Sequence, residues 1–224
     1  MTPSEVTKKD LEALVSKANE FAKEMGLTLS LDASKITFHC AGPDGNIGGT
    51  FNDESGEIGL NYRTIEDISS PDLARSLVHE GAHKKYFDEI DPFCYKKDYA
   101  FKCAFKKMFI ENLGYAVNIF FDNRPQKELN SAWALLGGWI FSPLAHAMAK
   151  ACKNGMPMDE IFEKVREYSK NPAHHSDEVD AVDFAYLLAG KLITKELGFE
   201  LGDFVSDWKK EWIEKMLAKE ASAQ

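Results

Sequence analysis

Glu57-Ile-Gly-Leu-Asn-Tyr-Arg63, then Ser69-Ser-Pro-Asp72, then His79-Glu-Gly-Ala-His83: read in order, these three strings set the expected fold. Ile58, Leu60 and Tyr62 alternate with polar or small neighbours, the period of a half-buried strand, which predicts a strand over Glu57–Arg63. Ser69 or Ser70 can cap a following helix, with Pro71 at its first position and Asp72 at the positive end of its dipole. Leu73, Leu77 and Val78 give that helix an apolar side, and its pattern ends near Phe87. Asp72, Ser76, His79 and His83 run along a neighbouring face. Histidines four apart on a helix project from one face, so His79 and His83 can both reach a single metal ion. Glu80, between them, stands where a carboxylate can take a proton from a water at that ion.

Upstream, Leu11, Leu14, Val15, Ala18 and Phe21 or Ala22 recur at helical spacing over residues 8–25, and Gly26 stops the helix. Leu27, Leu29 and Leu31 alternate, as do Ile36, Phe38 and Cys40, predicting two strands around a turn at Asp32-Ala33-Ser34. Gly42–Gly49 reads as a loop, Thr50-Phe51 as a short strand, and Asp53-Glu54-Ser55-Gly56 as a turn. Beyond residue 70 the pattern is helical, with further helices expected near 96–123, 131–151, 158–169, 177–197 and 203–220. Breaks fall at Gly155-Met-Pro, Asn171-Pro172 and Gly198. The expected class is α+β: an N-terminal helix, a small and mostly antiparallel sheet, the histidine helix, then a predominantly helical C-terminal half. It is expected as a single domain over 1–224, with a core at 1–125 and a helical subdomain at 126–224 walling a cleft.

The chain has 224 residues, 44% hydrophobic and 12% aromatic, the composition of an ordinary globular protein. A formal charge of −9, mixed along the chain, argues against nucleic acid and anionic membranes as partners. The densest apolar stretch, Ala132–Met148, is interrupted by Gly137-Gly138, Pro143 and His146, short of the roughly 18 apolar residues that span a bilayer. The first residues are polar and without a signal-like apolar run. Cys40, Cys94, Cys103 and Cys152 have no paired spacing and read as reduced core thiols rather than a four-cysteine zinc site. The cytoplasm is the expected compartment.

A catalytic zinc takes three protein ligands and leaves one position open. No third histidine follows His83, so the third ligand has to come from elsewhere among Asp88, Glu89, Asp91, Asp98, Glu111, Asp122 and Glu128. Asp88 and Glu89 lie at the end of the histidine helix and point away from its histidine face. Glu111, Tyr115, Asn118 and Asp122 fall on one face of a helix whose remaining positions are largely apolar. Polar groups in such a helix need partners, and a metal with its surroundings would supply them.

The order of strand, short connection and HExxH helix, from Ile58-Gly-Leu-Asn-Tyr to His79-Glu-Gly-Ala-His83, resembles the core of the zincin metallopeptidases. In that family the strand is the sheet edge on which an extended substrate lies as an added strand. Asn118-Ile-Phe-Phe-Asp122-Asn-Arg124 is similar to the Asn-x-x-x-Asp signature of zincins that include metallopeptidase domains found beside von Willebrand A-type domains. Gluzincins usually carry a glutamate where this chain has Asn118. The resemblance spans residues 55–125 and implies a Zn²⁺ peptidase acting on a peptide or protein, with His79, His83 and Asp122 as ligands and Glu80 as catalytic base. Glu111 is the alternative third ligand. A catalytically weak zincin serving as a protein-binding module is the alternative function, and an accidental motif on a helical interaction module a third.

Other polar residues read as structural or ambiguous. His146 sits among Leu144, Ala145, Ala147 and Met148 as a core or groove histidine, His174-His175 as an exposed loop and cap, and His39 as an exposed strand residue. Tyr86, Tyr115 and Tyr186 are each able to donate to an oxyanion. Phe101, Phe105 and Phe109 form a core stripe, and Lys84-Lys85 and Lys106-Lys107 solvated helix surface.

Overall fold

In a computed structural model of the chain, Thr7 caps helix α1 (Lys8–Glu24) through a reciprocal pair of bonds. Its hydroxyl accepts from the Asp10 N–H at 3.3 Å, and the Asp10 carboxylate accepts from the Thr7 N–H at 2.9 Å. The structure describes residues 5–39, 48–61, 68, 70–89, 111–122, 142–170, 189–204 and 207–222. The chain divides into two compact units, Met1–Glu89 and Ile90–Gln224.

In the first unit α1 buries Leu14, Ala18 and Ala22, the stripe its sequence marks, and ends where Gly26 takes φ +62°. The next segment departs from its pattern. Leu27, Leu29 and Leu31 alternate, but residues 27–32 join no sheet. Leu29 and Leu31 instead lie over Gly81 of the histidine helix, where an added Cβ would come within 2.9–3.0 Å of their methyls. Lys85 donates to the Thr28 carbonyl at 3.1 Å and fixes the same crossing. Alternation placed the leucines on one side, and a helix rather than a strand covers them.

Among the described residues three strands follow: β1 (Ile36–His39), β2 (Gly49–Phe51) and β3 (Ile58–Asn61). Their order is β1-β3-β2, with β1 parallel and β2 antiparallel to β3, so the sheet is mixed. The β2–β3 turn forms where Asp53-Glu54-Ser55-Gly56 predicts it. Asn52 Oδ1 accepts from the N–H groups of Glu54 and Ser55 at 3.0 Å, and Gly56 takes φ +67°. Ile36, Ile58 and Leu60 are buried on the side facing helix α2 (Pro71–Glu89). Ser70 caps α2 by accepting from the Asp72 N–H at 3.3 Å. Leu73, Ala74, Leu77, Val78, Ala82 and Tyr86 make its buried side, and α2 packs on α1, β2 and β3.

The elements of the second unit among its described residues are all helical: α3 over 111–121, α4 (Ser142–Lys153), α5 (Met158–Lys170), a π turn (Leu192–Glu196), a 3-10 turn (Leu201–Asp203) and α6 (Asp207–Ser222). Leu113, Ala116, Val117 and Ile119 of α3 are buried, as are Leu144, Ala145, Ala147 and Met148 of α4. Asn112, fully buried, accepts from the Ala145 N–H at 3.0 Å and satisfies a donor in the first turn of α4. Gly155 (φ +97°) and Gly198 (φ +71°) supply breaks the sequence marks; Asn171-Pro172 lies outside the described residues. Cys152 is a free, buried thiol whose pKa burial pushes up to about 12, fitting a core cysteine; Cys40, Cys94 and Cys103 lie outside the described residues. Among the described residues no helix is long and apolar enough to cross a membrane.

Candidate metal centre

One turn of α2 brings His79 and His83 side by side, with ring centroids 4.7 Å apart and planes at 64°. Their ligand nitrogens and a carboxylate oxygen of Glu80 all lie within 4.8 Å of one another, a group able to hold a metal ion. The donor chemistry fits a borderline-soft divalent ion. Imidazole nitrogens bind such ions at about 2.0–2.1 Å, so two of them four residues apart on a helix are spaced to share one centre. His83 and Glu80 are each only 6% exposed and His79 is half-buried, so the group lies in a largely desolvated setting. A charge in such a place is stabilised only by a counter-charge or hydrogen bonds.

The sheet corrects one expectation. β3, the Ile58 strand expected to be the substrate edge, is the central strand, flanked on both sides. The strand beside the histidine helix is β2, which among the described residues pairs with β3 alone. Its backbone follows the histidine face of α2: Gly48 lies against Ser76, Gly49 against Glu80, and the Phe51 ring stands 5.3 Å from that of Phe87. Asp88 forms an ion pair with Lys84 on α2 itself, consistent with its pointing away from the histidines.

Asp122, the expected third ligand, belongs to the second unit and follows the last helical residue of α3. Its N–H donates to the Ile119 carbonyl at 3.3 Å, and Lys153 donates to the carbonyls of Ile119 and Asp122 at 3.1 and 3.2 Å. Lys153 thus neutralises the negative end of α3, where a carboxylate is disfavoured by the dipole. Glu111, Tyr115, Asn118 and Asp122 are all half-buried beside the fully buried face of α3, the division the sequence predicts. Burial first, then the Glu111 charge, raises the Tyr115 pKa, which keeps its phenol a hydrogen-bond donor. Tyr86 is 1% exposed and belongs to the core. Asp91, Asp98, Arg124, Glu128, His174, His175, Tyr186 and the Phe101/Phe105/Phe109 stripe lie outside the described residues.

His146 is a core residue, 3% exposed, with neither ring nitrogen hydrogen-bonded among the described residues. Burial, then the charge of Lys153, pushes its pKa from 6.5 down to about 4. The folded state holds the proton less tightly than the unfolded chain. This contribution to stability is therefore intact above pH 6.5 and lost as pH falls towards 4. The slope is at most about 1.4 kcal/mol per pH unit, summing to roughly 3 kcal/mol. Urea unfolding of the wild type and His146→Leu between pH 4 and 7 checks this. The stability difference between them should shift in the variant's favour as the pH drops, and a pH-independent difference would refute it.

Sequence reading missed the part Gly49 plays, because a glycine in a turn-rich stretch looks like another loop residue. The available signal was a glycine directly preceding a strand pair, Thr50-Phe51, without a turn to require it. No protein-family model, no curated protein and no solved structure matches the chain.

Proposed function

We propose that the protein is a zincin-type zinc metallopeptidase that hydrolyses peptide bonds. The observation that carries the reading is the His79–Glu80–His83 group, with its ligand atoms within 4.8 Å on one turn of a largely buried helix, set against a sheet-edge strand. An accidental pair of surface histidines would not need burial, nor a carboxylate packed beside them.

In this reading His79 and His83 bind Zn²⁺ as neutral imidazoles, and the third ligand is a carboxylate, for which the resemblance of the Asn118-x-x-x-Asp122 pattern names Asp122, with Glu111 the alternative. Zinc, when bound, supplies a Lewis acid that eases deprotonation of water and polarises a carbonyl. Glu80 accepts the proton of the attacking water on a carboxylate oxygen as the new C–O bond forms. The same carboxyl then gives that proton to the amide nitrogen as the C–N bond breaks, so the products are a carboxylic acid and an amine, and the acid's proton passes to the amine to leave carboxylate and ammonium. Burial keeps bulk water from competing for Glu80. The side of β2 that pairs with no strand among the described residues supports an extended peptide substrate, since backbone donors and acceptors at a sheet edge can be met by an added strand.

The test is a peptide library incubated with protein of measured zinc content. Hydrolysis should accompany about one zinc per chain, stop on chelation and return when zinc is restored. Bound zinc with no cleavage of any peptide, together with a tight protein partner, would replace this reading with that of a binding module. Protein that takes up no zinc would end both.

A further inference from the structure

Gly49 opens β2 and pairs with Leu60 of β3. A Cβ built on it would lie 2.8 Å from both Cγ and Oε1 of Glu80 and 3.1 Å from its Cδ. The Glu80 side chain therefore rests directly on the strand backbone, in the space any larger residue would fill. Backbone conformation does not ask for glycine here: the positive-φ glycines among the described residues are Gly26, Gly56, Gly155 and Gly198. A glycine inside a strand weakens it, through chain entropy and the lack of a side chain to pack. The neighbouring glycines differ. Gly48 approaches only the Ser76 side chain, at 3.1 Å, and Gly59 is covered by His39 and Thr50 on β1 and β2.

We propose that Gly49 is a positioning residue for Glu80, its missing side chain fixing where the carboxylate stands relative to His79 and His83. The inference rests on the peptidase reading for its catalytic consequence, though not for the packing itself. A methyl at position 49 first meets Cγ, Cδ and Oε1 of the Glu80 side chain rather than backbone, so relief comes from Glu80 turning about its Cα–Cβ bond while the strand stays in place. The chain folds, and the base leaves its post. Displacement of a catalytic group by about 1 Å costs on the order of 10²-fold in rate.

For Gly49→Ala, kcat should fall by about 10²-fold. KM and zinc affinity should each remain within about threefold of wild type, because neither depends on Glu80 taking a proton. A melting cycle reads the contact without any activity. Gly49→Ala/Glu80→Ala should melt above Glu80→Ala by about 1–4 °C, since the alanine then fits and the strand gains from losing a glycine. With Glu80 present, the same substitution should bring no such gain. Equal shifts in the two backgrounds, or a Gly49→Ala enzyme with wild-type kcat, would overturn the proposal. A wild-type protein that binds zinc and cleaves nothing overturns the peptidase reading alone, and the melting cycle then decides whether Gly49 sets the place of Glu80.

Discussion

Glu80→Gln should lose peptide hydrolysis by about 10²–10⁴-fold while keeping its zinc. The substitution preserves size and one acceptor oxygen, so packing against Gly49 is retained and the two histidines stay where α2 puts them. What disappears is the ability to take a proton: an amide is not a base near neutral pH. The loss corresponds to about 3–5 kcal/mol on the barrier, which general base catalysis by a well-placed carboxylate supplies. With Glu80 only 6% exposed, buffer has poor access to replace it. Kinetics on a cleaved peptide, with metal analysis of the same sample, decides the matter. A glutamine variant that turns over at the wild-type rate with full zinc content removes Glu80 from the mechanism.

His83→Ala should lower zinc affinity by well over 10²-fold, roughly the upper range for losing a mere outer partner of a ligand. Activity should vanish with the metal. The effect also has a stability signature. Zinc that binds only the folded chain at about 1,000 times its dissociation constant adds roughly 4 kcal/mol, and His83→Ala should forfeit that gain. Melting with and without zinc separates this from the cost of the cavity, which affects both conditions equally. His79→Ala should behave alike, because the two rings sit 4.7 Å apart on one turn. Applied to Asp122→Asn and Glu111→Gln, the same measurement chooses the third ligand: the variant that loses zinc marks it. If His83→Ala binds zinc as the wild type does, the metal is not held by α2.

Much of the fold and half of the candidate site were legible in the chain. The α1 stripe, the Ser70 and Pro71 start of α2, the turn before Gly56 and the helices Ser142–Lys153, Met158–Lys170 and Asp207–Ser222 follow from local rules, and each formed; the helix expected over 177–197 lies mostly outside the described residues. The leucines at 27, 29 and 31 did not make a strand, since alternation marks a buried side and not the partner that buries it. Lys153, 31 residues beyond Asp122, reaches the end of α3 through a contact that no window of sequence contains.

The sequence by itself determined that His79, Glu80 and His83 share one turn, because helical spacing is a property of a few consecutive residues and needs no other part of the chain. It also determined that a helix and a small sheet precede a mostly helical remainder. Only the tertiary structure decided that β3 lies inside the sheet, that β2 is the strand along the histidine helix, and that Glu80 rests on Gly49. Strand order and the meeting of residues 49 and 80 are set by which distant surfaces bury one another, a competition settled across the whole unit.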